Sequence, residues 1–69
     1  MATLYKSENP NINWVCNDND GWEVCDIAGG RDSHGIGYDF DYINNLHGPL
    51  INPQEVSGSC KDQECKASD

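Results

Sequence analysis

The chain has 69 residues and a formal net charge of −8 at pH 7, with four Lys and Arg residues against twelve Asp and Glu residues. This charge disfavours nucleic acids and anionic membrane surfaces as partners, because both carry phosphate groups that require a basic protein surface. Only 36% of the residues are hydrophobic, and no apolar run is long enough to cross a membrane. We therefore expect residues 1–69 to form one small domain whose hydrophobic core alone gives marginal stability.

Four cysteines occur at positions 16, 25, 60 and 65. An even number of cysteines in so short a chain predicts a disulfide framework and an oxidising compartment. Zinc is the alternative, and His34 and His47 could complete a mixed site, but the cysteine spacings do not match the short ligand pairs of structural zinc sites. We expect no metal and no cofactor. Met1-Ala2 indicates a mature secreted chain with an added initiator Met, in preference to a cytosolic protein with reduced thiols.

The first three predicted strands cover residues 3–6, 12–17 and 22–27, and the last two form a hairpin. Asp20-Gly21 is typical of a two-residue type I′ turn, and counting outward from it places Cys16 opposite Cys25. Their Cα atoms would lie about 4.5 Å apart at this non-hydrogen-bonded pair, which suits a disulfide. This register favours the local bridges Cys16–Cys25 and Cys60–Cys65. The two long-range connectivities stay open, since they would restrict the unfolded chain more strongly.

The same register places the two tryptophans on opposite faces of the hairpin. Trp14 shares the face of the sulfur atoms, and Trp22 points the other way beside the Asp20-Gly21 tip. One interpretation buries Trp14 and leaves Trp22 exposed as an anchor for a partner. The alternative is packing on both faces of the hairpin, which would bury both indoles.

Residues 31–37 are predicted to form an exposed loop. Residues 36–43 are predicted to form a strand, because Tyr38, Phe40 and Tyr42 alternate with two aspartates. Leu50 and Ile51 suggest an edge strand. Residues 52–55 carry the Asn, Pro and Glu pattern of a helix start, and Gly58 would end this helix after about one turn. Residues 66–69 are expected to fray.

No grouping of residues makes a convincing catalytic or metal site. Asp32-Ser33-His34 places a nucleophile and a base side by side on a loop, whereas catalytic triads draw their members from separate elements. The chain is also short for a substrate pocket, so we expect that it is not an enzyme. A calcium-binding EF-hand does not fit residues 16–27, because its first and last positions are Cys16 and Ile27. A looser calcium site stays open at the hairpin tip, with Asp18, Asp20 and Glu23 as ligands.

Ile43, Asn45, Gly48 and Leu50, followed by Cys60, resemble the Ile-x-Asn-x-Asp-Gly-x-Leu stretch of the cyanovirin-N homology lectins. His47 stands where that family has Asp. The resemblance covers about half of the chain and implies sugar binding.

The sequence predicts a small disulfide-rich, mainly β fold with about three to five short strands and little helix. Such a domain is typical of a secreted, acidic binding protein of the effector, toxin-like or inhibitor kind, which acts by surface contact with a partner protein. A carbohydrate-binding, lectin-like module and a protease inhibitor are the alternatives. A trypsin-like protease would have to engage Lys6, Arg31, Lys61 or Lys66. The predicted partner-binding residues are those of the tip and the following loop: Asp20, Gly21, Trp22, Arg31 and His34.

Overall fold

The computed structural model describes residues 1–67 and contains one antiparallel sheet of five strands. The strands are β1 (Ala2–Ser7), β2 (Ile12–Asp18), β3 (Gly21–Asp26), β4 (Arg31–His34) and β5 (Leu50–Val56), in the order β4-β3-β2-β1-β5. One helix, α1 (Phe40–His47), and a 3₁₀ turn, Cys60–Asp62, complete the secondary structure. The predicted fold class, mainly β and disulfide-rich with little helix, is confirmed.

Both faces of the sheet are covered, and its central strands carry buried apolar side chains on both sides. The segment around the 3₁₀ turn covers the first face, which we call the disulfide face, where the buried residues are Ala2, Trp14, Cys16, Cys25 and Cys60. Helix α1 covers the opposite face, which we call the helix face, where the buried residues are Val15, Trp22, Val24 and Ile43. A period of two along β2 and β3 distributes the side chains between these two faces.

Two β-bulges change the face to which the side chains of a strand point. One lies between Ile12 and Trp14 in the pairing of β2 with β3, and the other lies where β5 pairs with Leu4 and Lys6 of β1. One extra residue shifts the alternation of side chains by one position. Ile12 therefore packs on the helix face although it stands two residues from Trp14, and β5 places Leu50 on the helix face but Val56 on the disulfide face.

The β2–β3 hairpin forms where predicted, but its register differs by one residue. Asp18 pairs with Gly21, and Cys16 pairs with Glu23 instead of Cys25. Gly21 has a φ of 118°, while Asp20 lacks the positive φ that a type I′ turn centred on Asp20-Gly21 requires. The turn residues are thus Asn19 and Asp20, followed by a glycine at positive φ, as in hairpins with a glycine bulge.

The predicted disulfides Cys16–Cys25 and Cys60–Cys65 are wrong. The bridges are Cys16–Cys60 and Cys25–Cys65, with Cα–Cα distances of 5.6 Å and 5.7 Å and sequence separations of 44 and 40 residues. The shifted register is the physical reason, since it places Cys16 and Cys25 diagonally on the disulfide face instead of directly opposite each other. Both cysteines point away from the helix and toward the C-terminal segment that carries their partners.

Helix α1 replaces the predicted strand of residues 36–43. Asp39 is its N-cap, and the Asp39 carboxylate accepts a hydrogen bond of 2.9 Å from the Tyr42 backbone N–H. The side of α1 that meets the sheet carries Phe40, Ile43 and His47, at spacings of three and four residues that suit a helix. Phe40 contacts Tyr5 and Trp22, Ile43 is buried on the helix face, and His47 contacts His34 at the end of β4. The alternation of aromatic residues and aspartates covers only five positions, which is too short to distinguish a strand from the start of a helix.

Two further segments differ from prediction, and both extend the sheet. Residues 31–34 were expected in an exposed loop but form β4, which pairs with β3 from Trp22 to Cys25. The predicted helix start at residues 52–55 is wrong, because Gln54 and Glu55 pair with β1 as part of the edge strand β5. Asn52 sits at the bulge with a φ of 54°, and Pro53 is tolerated on an edge strand at a bulge.

The C-terminal segment after Cys60 lies against the disulfide face. The Trp14 indole Nε1–H donates to the Glu64 carbonyl at 3.2 Å, and the Asn13 side chain donates to the Lys66 carbonyl at 3.3 Å. Fraying of residues 66–69 stays a prediction, and its last two positions, 68 and 69, lie outside the described residues. Within residues 1–67, no helix has both the length and the apolar character needed to cross a membrane.

We predict that peptide mapping of the non-reduced protein will recover Cys16 linked to Cys60 and Cys25 linked to Cys65. Replacing Cys16 and Cys60 together with Ser should lower the free energy of unfolding by about 4 kcal/mol, because the bridge closes a long loop in the unfolded chain. Urea denaturation measures this loss, and the paired Cys25→Ser and Cys65→Ser variant is the matched control, with a loss of similar size. Recovery of a Cys16–Cys25 peptide would contradict the fold.

Candidate functional site

Four of the five residues predicted to bind a partner meet at one end of the sheet. Asp20, Gly21, Trp22 and His34 line a surface cavity of about 240 Å³, which we call the tip hollow. Gly21 allows this close approach, because a side chain at position 21 would collide with the backbone carbonyl of His34. The hairpin tip and the end of β4 therefore form one surface.

Trp22 is buried, with an exposed fraction of only 6%. It forms a three-ring cluster with Tyr5 and Phe40, whose ring centroids lie 6.1 Å and 6.4 Å from its own. Its indole N–H donates to the Tyr38 carbonyl at 2.9 Å. The predicted exposure of Trp22 is therefore wrong, and the alternative of packing on both faces of the hairpin is confirmed. Trp22 therefore anchors the loop that precedes α1.

Arg31 is separated from the other predicted residues. Its position opposite Cys25 places it on the disulfide face, where its guanidinium lies 5.4 Å from the centre of the Trp14 ring. The guanidinium also forms a 3.1 Å ion pair with Glu23 and donates to the Gln63 carbonyl. These contacts give Arg31 a structural role beneath the C-terminal segment.

Two of the three carboxylates suggested as calcium ligands at the hairpin tip accept hydrogen bonds. Asp18 accepts from the backbone N–H of Asp20 at 2.9 Å and from that of Cys60 at 2.8 Å, and its cross-strand partner is Gly21. Glu23 accepts from Arg31 and from the Ser33 hydroxyl. Among residues 1–67, no group of three or more His, Cys, Asp or Glu side chains is arranged to hold a metal ion.

Asp32, Ser33 and His34 do not form a catalytic arrangement within β4. Ser33 lies opposite Glu23 on the disulfide face, whereas His34 lies opposite Trp22 on the helix face. Alternation along the strand thus points the hydroxyl and the imidazole in opposite directions.

An exposed aromatic surface adjoins the tip hollow and was not predicted. We call it the aromatic face and define it as Tyr38, Tyr42 and Leu46, whose exposed fractions are 45%, 49% and 49%. The Tyr38 and Tyr42 rings stack with centroids 5.0 Å apart, and Tyr38 meets His34 edge-on at 5.4 Å. The signal in the sequence was the Asp39 cap followed by Tyr42 and Leu46 four residues apart, which places both on one side of a helix.

His47 lies beside His34 at the border of the aromatic face. The two Nε2 atoms are 3.2 Å apart, which joins the last turn of α1 to the end of β4. Partial burial and the neighbouring His34 lower the pKa of His47, and the negative charge of Asp32 opposes them only in part. The folded protein therefore favours the neutral imidazole at position 47.

We predict that lowering the pH from about 7.5 to about 5.5 destabilises the protein through His47. The unfolded chain binds a proton at this position more readily than the folded protein does, so the free energy of unfolding falls as the pH falls. Urea midpoints at the two pH values measure the effect, and the H47Q variant should show a smaller loss. An equal loss in the wild type and in H47Q would contradict this assignment.

No protein-family model matches the chain, and comparison with curated proteins and with solved structures gives no significant match. The resemblance of residues 43–60 to the cyanovirin-N homology lectins gains no support from these comparisons. The stretch that carries the resemblance begins in α1 and ends beyond β5.

Proposed function

We propose that the protein is a secreted binding protein that contacts a partner protein through the aromatic face and the adjoining tip hollow. The observation that carries this proposal is the clustering of exposed apolar side chains. Of the seven large hydrophobic residues that are exposed among the described residues, five lie between positions 36 and 46. Tyrosine is a frequent anchor in protein interfaces, because its ring is apolar and its hydroxyl forms hydrogen bonds.

The charges around this surface support a partner with a basic face. Asp39 and Asp41 neighbour Tyr38 and Tyr42 in the sequence, and Asp32 stands two residues before His34. The lining of the tip hollow contains three carboxylates against one basic residue, so it also carries a net negative charge: Asp18, Asp20, Glu23 and Lys61. Complementary charge speeds association and selects partners, so a basic protein surface suits this acidic aromatic region.

The two long-range disulfides support an extracellular site of action. They form and persist in oxidising compartments, and small extracellular domains use them where the core is small. A rigid scaffold that presents a few exposed anchors suits binding, and we propose on this basis that the protein acts without catalysis.

A protease inhibitor of the trypsin-directed kind receives less support from the contacts of the basic residues. Arg31 is held by Glu23 and by the Gln63 carbonyl, and Lys66 pairs with Glu64 at 3.2 Å. Lys6 and Lys61 stay exposed, but Lys6 stands within β1 and Lys61 within the 3₁₀ turn, and neither occupies an extended exposed loop.

We predict that immobilised protein will capture a partner from an extract of its target tissue, and that Tyr42→Ala will abolish the capture. Removing the central ring should reduce affinity by about 2 kcal/mol or more, because interface anchors are typically exposed aromatic side chains. Capture should also weaken at high salt if a basic face is recognised. Quantitative mass spectrometry of the retained proteins measures the loss.

Ile27→Ala is the matched control, since Ile27 is an exposed apolar residue beyond the end of β3. It should leave capture unchanged. Trp22→Ala is unsuitable for this test, because the buried indole supports the fold. Equal recovery of the partner by the wild type and Tyr42→Ala, with Tyr38→Ala also unchanged, would refute the aromatic face as the binding surface.

A groove on the disulfide face favours carbohydrate binding as a second candidate function. The groove has a volume of about 310 Å³, and its lining includes Lys6, Asn13, Trp14, Asn52 and Gln54. Both β-bulges contribute to it through Asn13 and Asn52, and bulges often re-aim side chains toward sites. Amide groups donate and accept hydrogen bonds, as sugar hydroxyls require, and an indole supplies an apolar wall.

We predict that, if this groove binds sugars, a glycan array will show hits that Gln54→Ala removes and Tyr42→Ala leaves unchanged. Gln54 is exposed on the edge strand, so its replacement should have little effect on folding. An array without hits, or hits that persist in Gln54→Ala and in Lys6→Ala, would remove this candidate and leave the aromatic face untouched.

A further inference from the structure

The only two histidines of the chain meet in space, although they stand thirteen positions apart in the sequence. His34 is the last residue of β4, and His47 is the last residue of α1. Their Nε2 atoms face each other at 3.2 Å, and both side chains are half-buried. Two different elements therefore direct the same ring nitrogen toward one point.

This separation suits two ligands of one metal ion. Zinc binds imidazole nitrogen at about 2.0–2.1 Å with tetrahedral geometry, so two ligand nitrogens of the same ion lie about 3.3 Å apart. Imidazole is a ligand that zinc, copper and nickel accept well. The nitrogens are therefore at nearly the right separation, and a reorientation of the two rings would point both Nε2 lone pairs at one ion beside the line that joins them.

The backbone holds both rings in position before any ion arrives. His34 is fixed by the pairing of β4 with β3, where it lies opposite Trp22. The His47 carbonyl accepts a hydrogen bond of 2.6 Å from the Ser7 hydroxyl of β1. A site held in this way loses little conformational entropy on binding a ligand.

The surrounding charge favours a cation. His47 stands in the last turn of α1, where the helix dipole presents its negative end. Asp32 lies two residues before His34 on the same side of β4, and its negative charge acts on His47. Lys61 also lines the tip hollow beside His34, but three carboxylates line it as well.

We propose that His34 and His47 form a two-imidazole site for a borderline divalent transition-metal ion, with Zn²⁺ as the representative ion. Nε2 of each ring supplies one ligand, and water fills the other positions on the exposed side. The site rests on the position of the two rings and is independent of the proposed partner surface.

Titration calorimetry with Zn²⁺ alone should show one ion bound per chain. His34→Gln and His47→Gln should each weaken binding at least about tenfold, a loss at the low end of what a metal site suffers when its ligand shell is disturbed. Glu55→Gln is the matched control, since it removes an exposed acidic group on β5, at the opposite edge of the sheet from β4, and it should bind Zn²⁺ as the wild type does. Circular dichroism confirms that each variant is folded.

A measurement on the wild type avoids any dependence on folding of the variants. In long-range ¹H–¹⁵N spectra of the imidazoles, Zn²⁺ should shift the Nε2 signals of both histidines together, as expected for two ligands of one ion. Unchanged Nε2 signals at millimolar Zn²⁺ would overturn the proposal and leave a direct N–H···N hydrogen bond between the rings. Equal Zn²⁺ binding by the wild type and both His variants would also overturn it and assign the ion to surface carboxylates.

Discussion

The two disulfides that tie the C-terminal segment to the central strands are the constraint on which the rest of the structure depends. Cys16 and Cys25 stand on neighbouring strands, and each is bridged to a residue more than thirty positions away. The bridges hold this segment over the disulfide face, where Asp18 receives the Cys60 backbone N–H and Trp14 donates to Glu64. Without that cover, one side of the sheet would expose Trp14 to water.

Covering both faces allows a short chain with few hydrophobic residues to bury its central strands. Val15, Cys16, Cys25 and Ile43 are completely inaccessible to solvent. Helix α1 completes the other face through Ile43 and Phe40, and so leaves its outer side free. The aromatic face is thus a consequence of packing, because the side of α1 that does not meet the sheet carries Tyr42 and Leu46.

The proposed surface combines elements that lie far apart in the sequence. The hairpin tip contributes Asp20, the end of β4 contributes His34, and α1 with its preceding loop contributes the stacked tyrosines. Trp22 connects β3 to the loop that carries Tyr38, because its indole N–H donates to the Tyr38 carbonyl. The buried Trp22 therefore positions the exposed Tyr38. Trp22 supports the proposed surface, whereas Tyr38 belongs to the part that would contact a partner.

From the amino-acid sequence we could predict the fold class, the oxidised cysteines, the first three strands and the opposite orientation of Trp14 and Trp22. These follow from composition and from alternation within single segments. Long-range packing was needed to establish the disulfide partners, the helix at residues 40–47, the pairing of residues 31–34 and 52–55, and the contact of His34 with His47. A one-residue change of hairpin register redirects every cross-strand pair, and an Asp cap competes with a short alternating pattern. Local patterns cannot rank such alternatives, because the energy that separates them comes from packing against distant parts of the chain.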